Sequence, residues 1–236
     1  MCGRFVLTDC EERIICSFGL NNSNVILNPR YNICPTEKIP VIVQDDGLLN
    51  LEFMQWGFIP SWSDGKTTLI NARVETINYK PSFKEAINKR RCLIPANGFY
   101  EWMQENSKKK PYYISFTKNN LFAFAGIWEE WISNNHKKIK TCAILTSKAN
   151  SFMSKIHKRM PLIITQNNLG MWFDYTERTL NKLREISLSE PIQAWEVSEK
   201  VGSPNFDNPN CVKKINNNGR SRSNNFFTKI QGELFD

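Results

Sequence analysis

The second residue of the chain, Cys2, carries the groups that could do covalent chemistry. Once Met1 is removed, which a small second residue permits, Cys2 offers an α-amine and a thiol two carbons apart. An α-amine has a pKa of about 7.7 to 8.0, so about a tenth to a fifth of it is neutral and nucleophilic at neutral pH. The amine can condense with an aldehyde to an imine, and the thiol can then close a five-membered thiazolidine. Taken alone, Cys2 could also be an ordinary second residue, so the motifs downstream decide.

Five segments, here called the motif segments, are dense in residue types that core packing does not require. In chain order they are 2–5 (CGRF), 56–62 (WGFIPSW), 71–76 (NARVET), 97–102 (NGFYEW) and 157–161 (HKRMP). Each is a weak signal by itself. The occurrence of all five in this order, with a cysteine at position 2, is a specific signal.

Together the motif segments resemble the SOS response-associated peptidase (SRAP) family, whose members crosslink to abasic sites in single-stranded DNA through an N-terminal cysteine. The resemblance runs from Cys2 to about Val201. It implies a single α+β domain with a curved, barrel-like antiparallel β-sheet core, peripheral helices and a basic groove leading to the cysteine. We expect this domain to cover residues 1–212, followed by a flexible tail over 213–236.

The resemblance implies four catalytic residues: Cys2 as nucleophile, surrounded by Asn71, Glu101 and His157. Aromatic neighbours on both sides of Glu101 would partly desolvate it, raise its pKa and let it shuttle protons during imine formation, although a surface ion pair is the commoner role of a glutamate. His157 can exchange protons near neutral pH and so help to open the sugar ring to its aldehyde. Asn71 could hold the Cys2 amine or the sugar through its amide, although it could also be an ordinary surface residue.

The same motif positions predict the contacts to DNA. Arg73 should share a strand face with Asn71 and meet a phosphate, and Arg4 and Arg159 are the next candidates because guanidinium groups suit phosphate oxygens. Of the two tryptophans in segment 56–62, we expect one to stack on bases and one to pack in the core. Trp56 is our candidate for the DNA contact.

Composition supports a polyanionic partner. The 236 residues include 31 Lys and Arg against 23 Asp and Glu, a net charge of +8. This excess favours nucleic acid but also fits an ordinary basic protein. The seven cysteines show no CxxC pair, which fits neither a disulfide framework nor a zinc site, and no metal or organic cofactor is implied. The chain shows no secretory or membrane-spanning segment, so we expect a cytoplasmic protein that is nucleoid-associated when crosslinked.

The elements that must position these residues have recognisable local signals. Thr8 and Glu11 form a capping-box pattern before a short amphipathic helix that Gly19 should end, and Ser82 and Glu85 repeat the pattern before a helix at 82–88. Strands are predicted at 41–43 and 49–54 around an Asp-Gly turn, and at 112–116, 121–125 and 141–145. A further helix is predicted at 176–186. This mixture of hairpins and scattered helices predicts an α+β fold.

The tail ends in a peptide that resembles those by which bacterial DNA-repair proteins bind the sliding clamp. Its characteristic residues are Gln231, Leu234 and Phe235. A polar tail rich in Asn and Ser would leave such a peptide accessible. A tail without a partner is the alternative, and the motif alone does not separate the two.

The sequence therefore predicts an abasic-site DNA–protein crosslinking enzyme that protects the lesion during the DNA damage response. Weak abasic-site lyase activity is expected from the imine, and the family name implies an autoproteolytic removal of Met1. One alternative is an amidohydrolase with Cys2 as N-terminal nucleophile, which needs no DNA. The other is a non-covalent single-strand binding module, whose binding survives Cys2→Ala.

Overall fold

The computed structural model describes residues 2–21, 25–117, 121–189 and 191–215. Most of the predicted tail, including the peptide with Gln231, Leu234 and Phe235, lies outside the described residues.

Strands dominate the described part of the chain. They are β1 (Phe5–Leu7), β2 (Arg30–Ile33), β3 (Lys38–Asp45), β4 (Leu48–Trp56), β5 (Asn71–Arg73), β6 (Arg91–Ala96), β7 (Gly98–Glu105), β8 (Lys108–Phe116), β9 (Phe122–Ile132), β10 (Lys138–Lys148), β11 (Arg159–Pro161), β12 (Ile163–Ile164) and β13 (Ile192–Glu196).

The helices are short and lie around the sheets. They are α1 (Glu11–Phe18), α2 (Lys84–Lys89), α3 (Leu169–Phe173) and α4 (Glu177–Ser189), with 3-10 turns at Met153–Lys155, Gln166–Asn168, Glu199–Gly202 and Pro209–Val212. No helix in the described ranges is long and apolar enough to span a membrane.

Five strands close on themselves into a barrel, in the order β10, β4, β3, β6, β9 and back to β10. Cys142 of β10 shows the closure, because it pairs with Trp128 of β9 on one side and with Trp56 of β4 on the other. The predicted α+β fold with a barrel-like sheet is confirmed. One detail of the prediction is wrong: β10 runs parallel to β4 and β5, so the barrel is mixed rather than wholly antiparallel.

A second, five-stranded sheet has the order β13, β8, β7, β1, β2. Its strand β1 lies against the barrel through Phe5, whose ring meets Trp56 edge-on at 5.3 Å and Phe124 at 5.7 Å between centroids. Such edge-to-face pairs contribute about 0.5–1.5 kcal/mol each beyond burial. They fix the start of the chain at the junction of the two sheets.

Local sequence signals predicted turns better than helix starts. Asp46 and Gly47, with φ of 46° and 79°, form the predicted tight turn, and Gly19 ends α1 with φ of 66°. The expected capping boxes are wrong. Helix α1 is preceded by Cys10, with no side-chain cap, because the backbone N–H of Thr8 instead donates to Asn97 Oδ1 at 2.7 Å. Helix α2 likewise starts at Lys84 without a side-chain cap.

The last described residues pack on the second sheet. The indole Nε1 of Trp195 donates to the carbonyl of Val212 at 2.8 Å, and the backbone N–H of Ile215 donates to the carbonyl of Glu196 at 3.1 Å. Residues 191–215 are therefore part of the packed body that supports β1 and β7.

Candidate active site

Cys2 is completely buried where the chain enters β1. The pairing of β1 with β7 continues beyond Phe5, because the N–H of Tyr100 donates to the carbonyl of Arg4 at 3.0 Å. This antiparallel alignment brings the residues before Arg4 alongside Glu101. Burial raises the pKa of the Cys2 thiol, and the negative charge of Glu101 raises it further. The thiol is therefore held protonated at neutral pH.

Asn71, at the start of β5, ties Cys2 to the barrel sheet. Its Nδ2 donates to the Cys2 carbonyl at 2.9 Å. Its Oδ1 is buried and has no hydrogen-bond partner among the described residues. A buried acceptor without a donor is costly, which makes it a place where a ligand hydroxyl or amine would bind well.

Glu101 lies in the middle of β7, and its side chain is only 3% exposed. Burial raises the pKa of the carboxyl, while the nearby His157 works in the opposite direction, and the net shift is upward. The predicted desolvation of Glu101 is confirmed, but its aromatic neighbours do not cause it, because Tyr100 and Trp102 face the opposite side of β7 and belong to the apolar cluster that contains Val6. A carboxyl with a raised pKa can give and take protons closer to neutral pH than an exposed glutamate can.

His157 faces Glu101 from the short connection between the 3-10 turn Met153–Lys155 and β11. Its Nδ1 lies 3.9 Å from Glu101 Oε1. The ring is oriented by the backbone of Arg159, whose N–H donates to Nδ1 at 3.0 Å. At 29% exposure against 3% for Glu101, the histidine forms the solvent-facing side of this pair.

The structure thus brings the four predicted catalytic residues into one cluster from separate elements. Asn71 donates a hydrogen bond to the Cys2 carbonyl. The charge of Glu101 raises the pKa of the Cys2 thiol, and the charge of His157 opposes the rise in the pKa of Glu101. The arrangement contains a nucleophile with a fixed backbone, a carboxyl suited to proton transfer and an imidazole open to solvent. In the part of the chain that the structure describes, no group of three or more His, Cys, Asp or Glu side chains could hold a metal ion.

The three predicted phosphate ligands differ in what they contact. Arg73 is exposed, and no described residue forms a hydrogen bond or ion pair with its side chain. The guanidinium of Arg4 is occupied by the carbonyls of Val201 and Gly202, each at 2.9 Å, and by a side chain of β2. Arg73 is therefore the one of the three that needs no rearrangement to meet a phosphate.

Arg159 forms a two-pronged ion pair with Glu75, at 2.8 and 2.9 Å, and its side chain is 15% exposed. A phosphate would have to compete with this carboxylate. Glu75 lies inside segment 71–76 but was assigned no role from the sequence. Its position in a motif segment was the available signal, and its partner could not be deduced because 84 residues separate the two.

The predicted DNA contact of Trp56 is wrong. Its side chain is 0% exposed, packs on Phe5 and donates from Nε1 to the Ile70 carbonyl at 3.0 Å. Trp62 is 70% exposed and is the tryptophan of this segment that can offer a ring face to a base. As expected, one tryptophan packs in the core and one is exposed, but the buried one is Trp56 and the exposed one is Trp62.

The chain is similar to known proteins over most of its length. Residues 1–204 match the sequence model of the SOS response associated peptidase (SRAP) family. The abasic site processing protein YoqW of Bacillus subtilis is 36% identical over 90% of this chain and 99% of its own, and YedK of Escherichia coli is 29% identical over 86% and 95%. A crystal structure of a protein from Bacteroides thetaiotaomicron superposes with a TM-score of 0.79 at 27% identity, covering 91% of this chain and all of the other.

Proposed function

Because the chain belongs to the SOS response-associated peptidase (SRAP) family, we propose that it processes abasic sites in DNA by crosslinking to them through Cys2. The observation that carries the proposal is the cluster around Cys2, in which Asn71 donates to its carbonyl and the charge of Glu101 raises the pKa of its thiol. A nucleophile placed this way, next to a proton-transfer group, suits a carbonyl substrate.

The proposed reaction starts after Met1 is removed. The Cys2 amine attacks the aldehyde carbon of the opened deoxyribose, and loss of water gives the imine. The thiol sulfur then adds to the imine carbon while the thiol proton passes to the nitrogen, which closes the thiazolidine. Burial keeps the thiol protonated. Glu101, with its raised pKa, carries protons in both the dehydration and the ring closure.

Asn71 and His157 have supporting roles in this scheme. The unpartnered Oδ1 of Asn71 accepts a hydrogen bond from the Cys2 amine or a sugar hydroxyl. His157, at the solvent side, assists opening of the sugar ring. The imine also permits β-elimination at the 3′ phosphate, which gives weak lyase activity until ring closure removes the imine. The same cysteine is proposed to remove Met1 by autoproteolysis, with water as co-reactant.

The DNA strand is proposed to contact Arg73 and Trp62, which are both exposed. The arginine binds a phosphate, and the indole stacks on a base beside the lesion, an interaction of about 1–3 kcal/mol. Arg4 adds positive charge at the edge of this path while keeping its internal partners, whereas Arg159 contributes a phosphate contact only when the phosphate displaces Glu75.

Delivery to replication is a separate part of the proposal. We propose that the C-terminal peptide with Gln231, Leu234 and Phe235 binds the sliding clamp. In a pull-down, the full chain should retain the sliding clamp, and the Leu234→Ala, Phe235→Ala double variant should not. Equal recovery by both would remove the clamp from the proposal and leave the crosslinking chemistry as it is.

The chemistry is tested on a denaturing gel with a single-stranded oligonucleotide that carries one abasic site. Wild type should give a heat-stable shifted band. Cys2→Ala keeps the α-amine, so it should give a band only when borohydride reduces the imine. A wild-type protein that lacks Met1 by mass and still gives no heat-stable band would contradict the crosslinking function. Retained non-covalent binding would then favour a single-strand binding module.

A further inference from the structure

A row of side chains leads away from the reactive cysteine along one face of the barrel sheet. It starts at Asn71 and Arg73 of β5, and Arg73 pairs with Thr146 of β10. Lys148 follows two residues further along β10 and pairs with Arg159 of β11. Paired residues, and residues two apart on a strand, share a face of the sheet. Arg73, Lys148 and Arg159 therefore lie on the face that begins at Asn71.

The charges on this face do not cancel evenly. Arg159 is neutralised by Glu75, and although burial opposes ionisation of this carboxyl, the hydrogen bonds from Arg159 lower its pKa overall. Arg73 and Lys148 are both exposed, and neither side chain has an ion pair within the described ranges. The face thus carries two positive charges without an ion-pair partner, and Lys148 lies beside the neutral pair, because it is paired with Arg159 and its backbone N–H donates to Glu75 Oε1 at 3.2 Å.

We propose that Lys148 binds a backbone phosphate of single-stranded DNA, further along the strand than the phosphate bound by Arg73. The inference rests on the proposed function, because the DNA must cross the face that starts at Asn71. A lysine is a flexible point charge, so the contact would strengthen binding without reading sequence. Lys148 lies outside all five motif segments.

The test is equilibrium binding of a lesion-free single-stranded oligonucleotide, measured by fluorescence anisotropy over a range of salt concentrations. Each phosphate contact contributes about 0.7 to the slope of log K against log salt for single strands. Lys148→Gln should therefore reduce the steepness of the slope by about 0.7, Arg73→Gln by about the same amount, and the double variant by about 1.4.

Lys182→Gln is the matched control. Lys182 is exposed on α4, which packs on α3 and β12, and it has no ion pair with any described residue. This variant loses the same charge and should keep the wild-type slope. A wild-type slope for Lys148→Gln, or an equal loss for Lys182→Gln, overturns the assignment of Lys148. Because the DNA has no lesion, a failure of crosslinking leaves this measurement intact, whereas a wild type that does not bind single strands overturns both proposals.

Discussion

The buried carboxyl of Glu101 makes the stability of the protein depend on pH in a defined direction. Burial raises its pKa above that of an exposed glutamate, about 4.3. The fold therefore favours the protonated carboxyl. The resulting contribution to stability is fully present below the unfolded-state pKa and is lost as pH rises through the folded-state pKa.

Glu101→Gln should therefore stabilise the protein more at neutral pH than at acidic pH, because glutamine cannot ionise. The measurement is thermal unfolding of variant and wild type at a series of pH values from about 4 to 8. Glu185→Gln, at an exposed glutamate of α4, should show no such trend. A Tm difference for Glu101→Gln that stays constant or shrinks as pH rises would show that the carboxyl ionises without cost in the fold. The same variant should crosslink more slowly.

For single residues, the sequence predicted which side chains lie near Cys2 better than it predicted what surrounds each of them. The desolvation of Glu101 was predicted correctly but for the wrong reason, because its aromatic neighbours face the opposite side of β7. Trp56 ends a strand pattern, whereas Trp62 lies between two serines in a stretch with turn residues. The prediction did not use this signal for the difference in burial between the two tryptophans. That difference arises from contacts of Trp56 with Phe5 and Ile70, which are brought to it only by the closed fold.

Among the elements, the loop that presents Trp62 is held in place by β9. The indole Nε1 of Trp131 donates to the Ser63 carbonyl at 2.9 Å. Gly65, with φ of 78°, packs against the same indole, and a Cβ added at Gly65 would overlap the ring. The loop can therefore keep its conformation only with glycine at this position.

Gly65→Ala should displace this loop and with it the exposed ring of Trp62. We expect a loss of about 1–3 kcal/mol of unfolding free energy from the overlap, together with weaker binding of lesion-free single strands. Trp62→Ala should weaken binding to a similar extent without the loss of stability. Gly170→Ala is the control, because a Cβ there meets nothing within 4 Å. Thermal unfolding and anisotropy measure the two effects, and wild-type DNA affinity for Gly65→Ala would show that the loop does not present a DNA contact.

Elements were predictable where a residue type demands a particular backbone conformation. Gly19 and the Asp46-Gly47 turn are examples, since positive φ favours these residues. The capping box at Thr8 failed because a distant residue, Asn97, accepts the hydrogen bond of the Thr8 backbone N–H. Strands β9 and β10 extend well beyond the predicted 121–125 and 141–145, because those predictions followed apolar runs, whereas the outer part of this hairpin is half-exposed.

The segment that contains Cys2 is held in place by residues that lie 197 and 198 positions after Arg4 in the sequence. The guanidinium of Arg4, two residues from Cys2, donates to the carbonyls of Val201 and Gly202 and to Asn32 Oδ1, each at 2.9 Å. Two roles of Arg4 can be distinguished. As a phosphate ligand it would need its charge, whereas as a structural link it needs the fork of donors that only arginine has.

Arg4→Lys separates these roles because it keeps the charge and loses the fork. We expect the unfolding free energy to fall by about 1–3 kcal/mol, since acceptors are left without donors. Crosslinking should slow as Cys2 loses its position, while the salt dependence of binding to lesion-free single strands stays at the wild-type slope. Arg178→Lys, at an exposed arginine of α4, should change none of the three. An unchanged Tm for Arg4→Lys would rule out the structural role. Arg4 would then be assigned as a phosphate ligand, because only its positive charge would matter at this position.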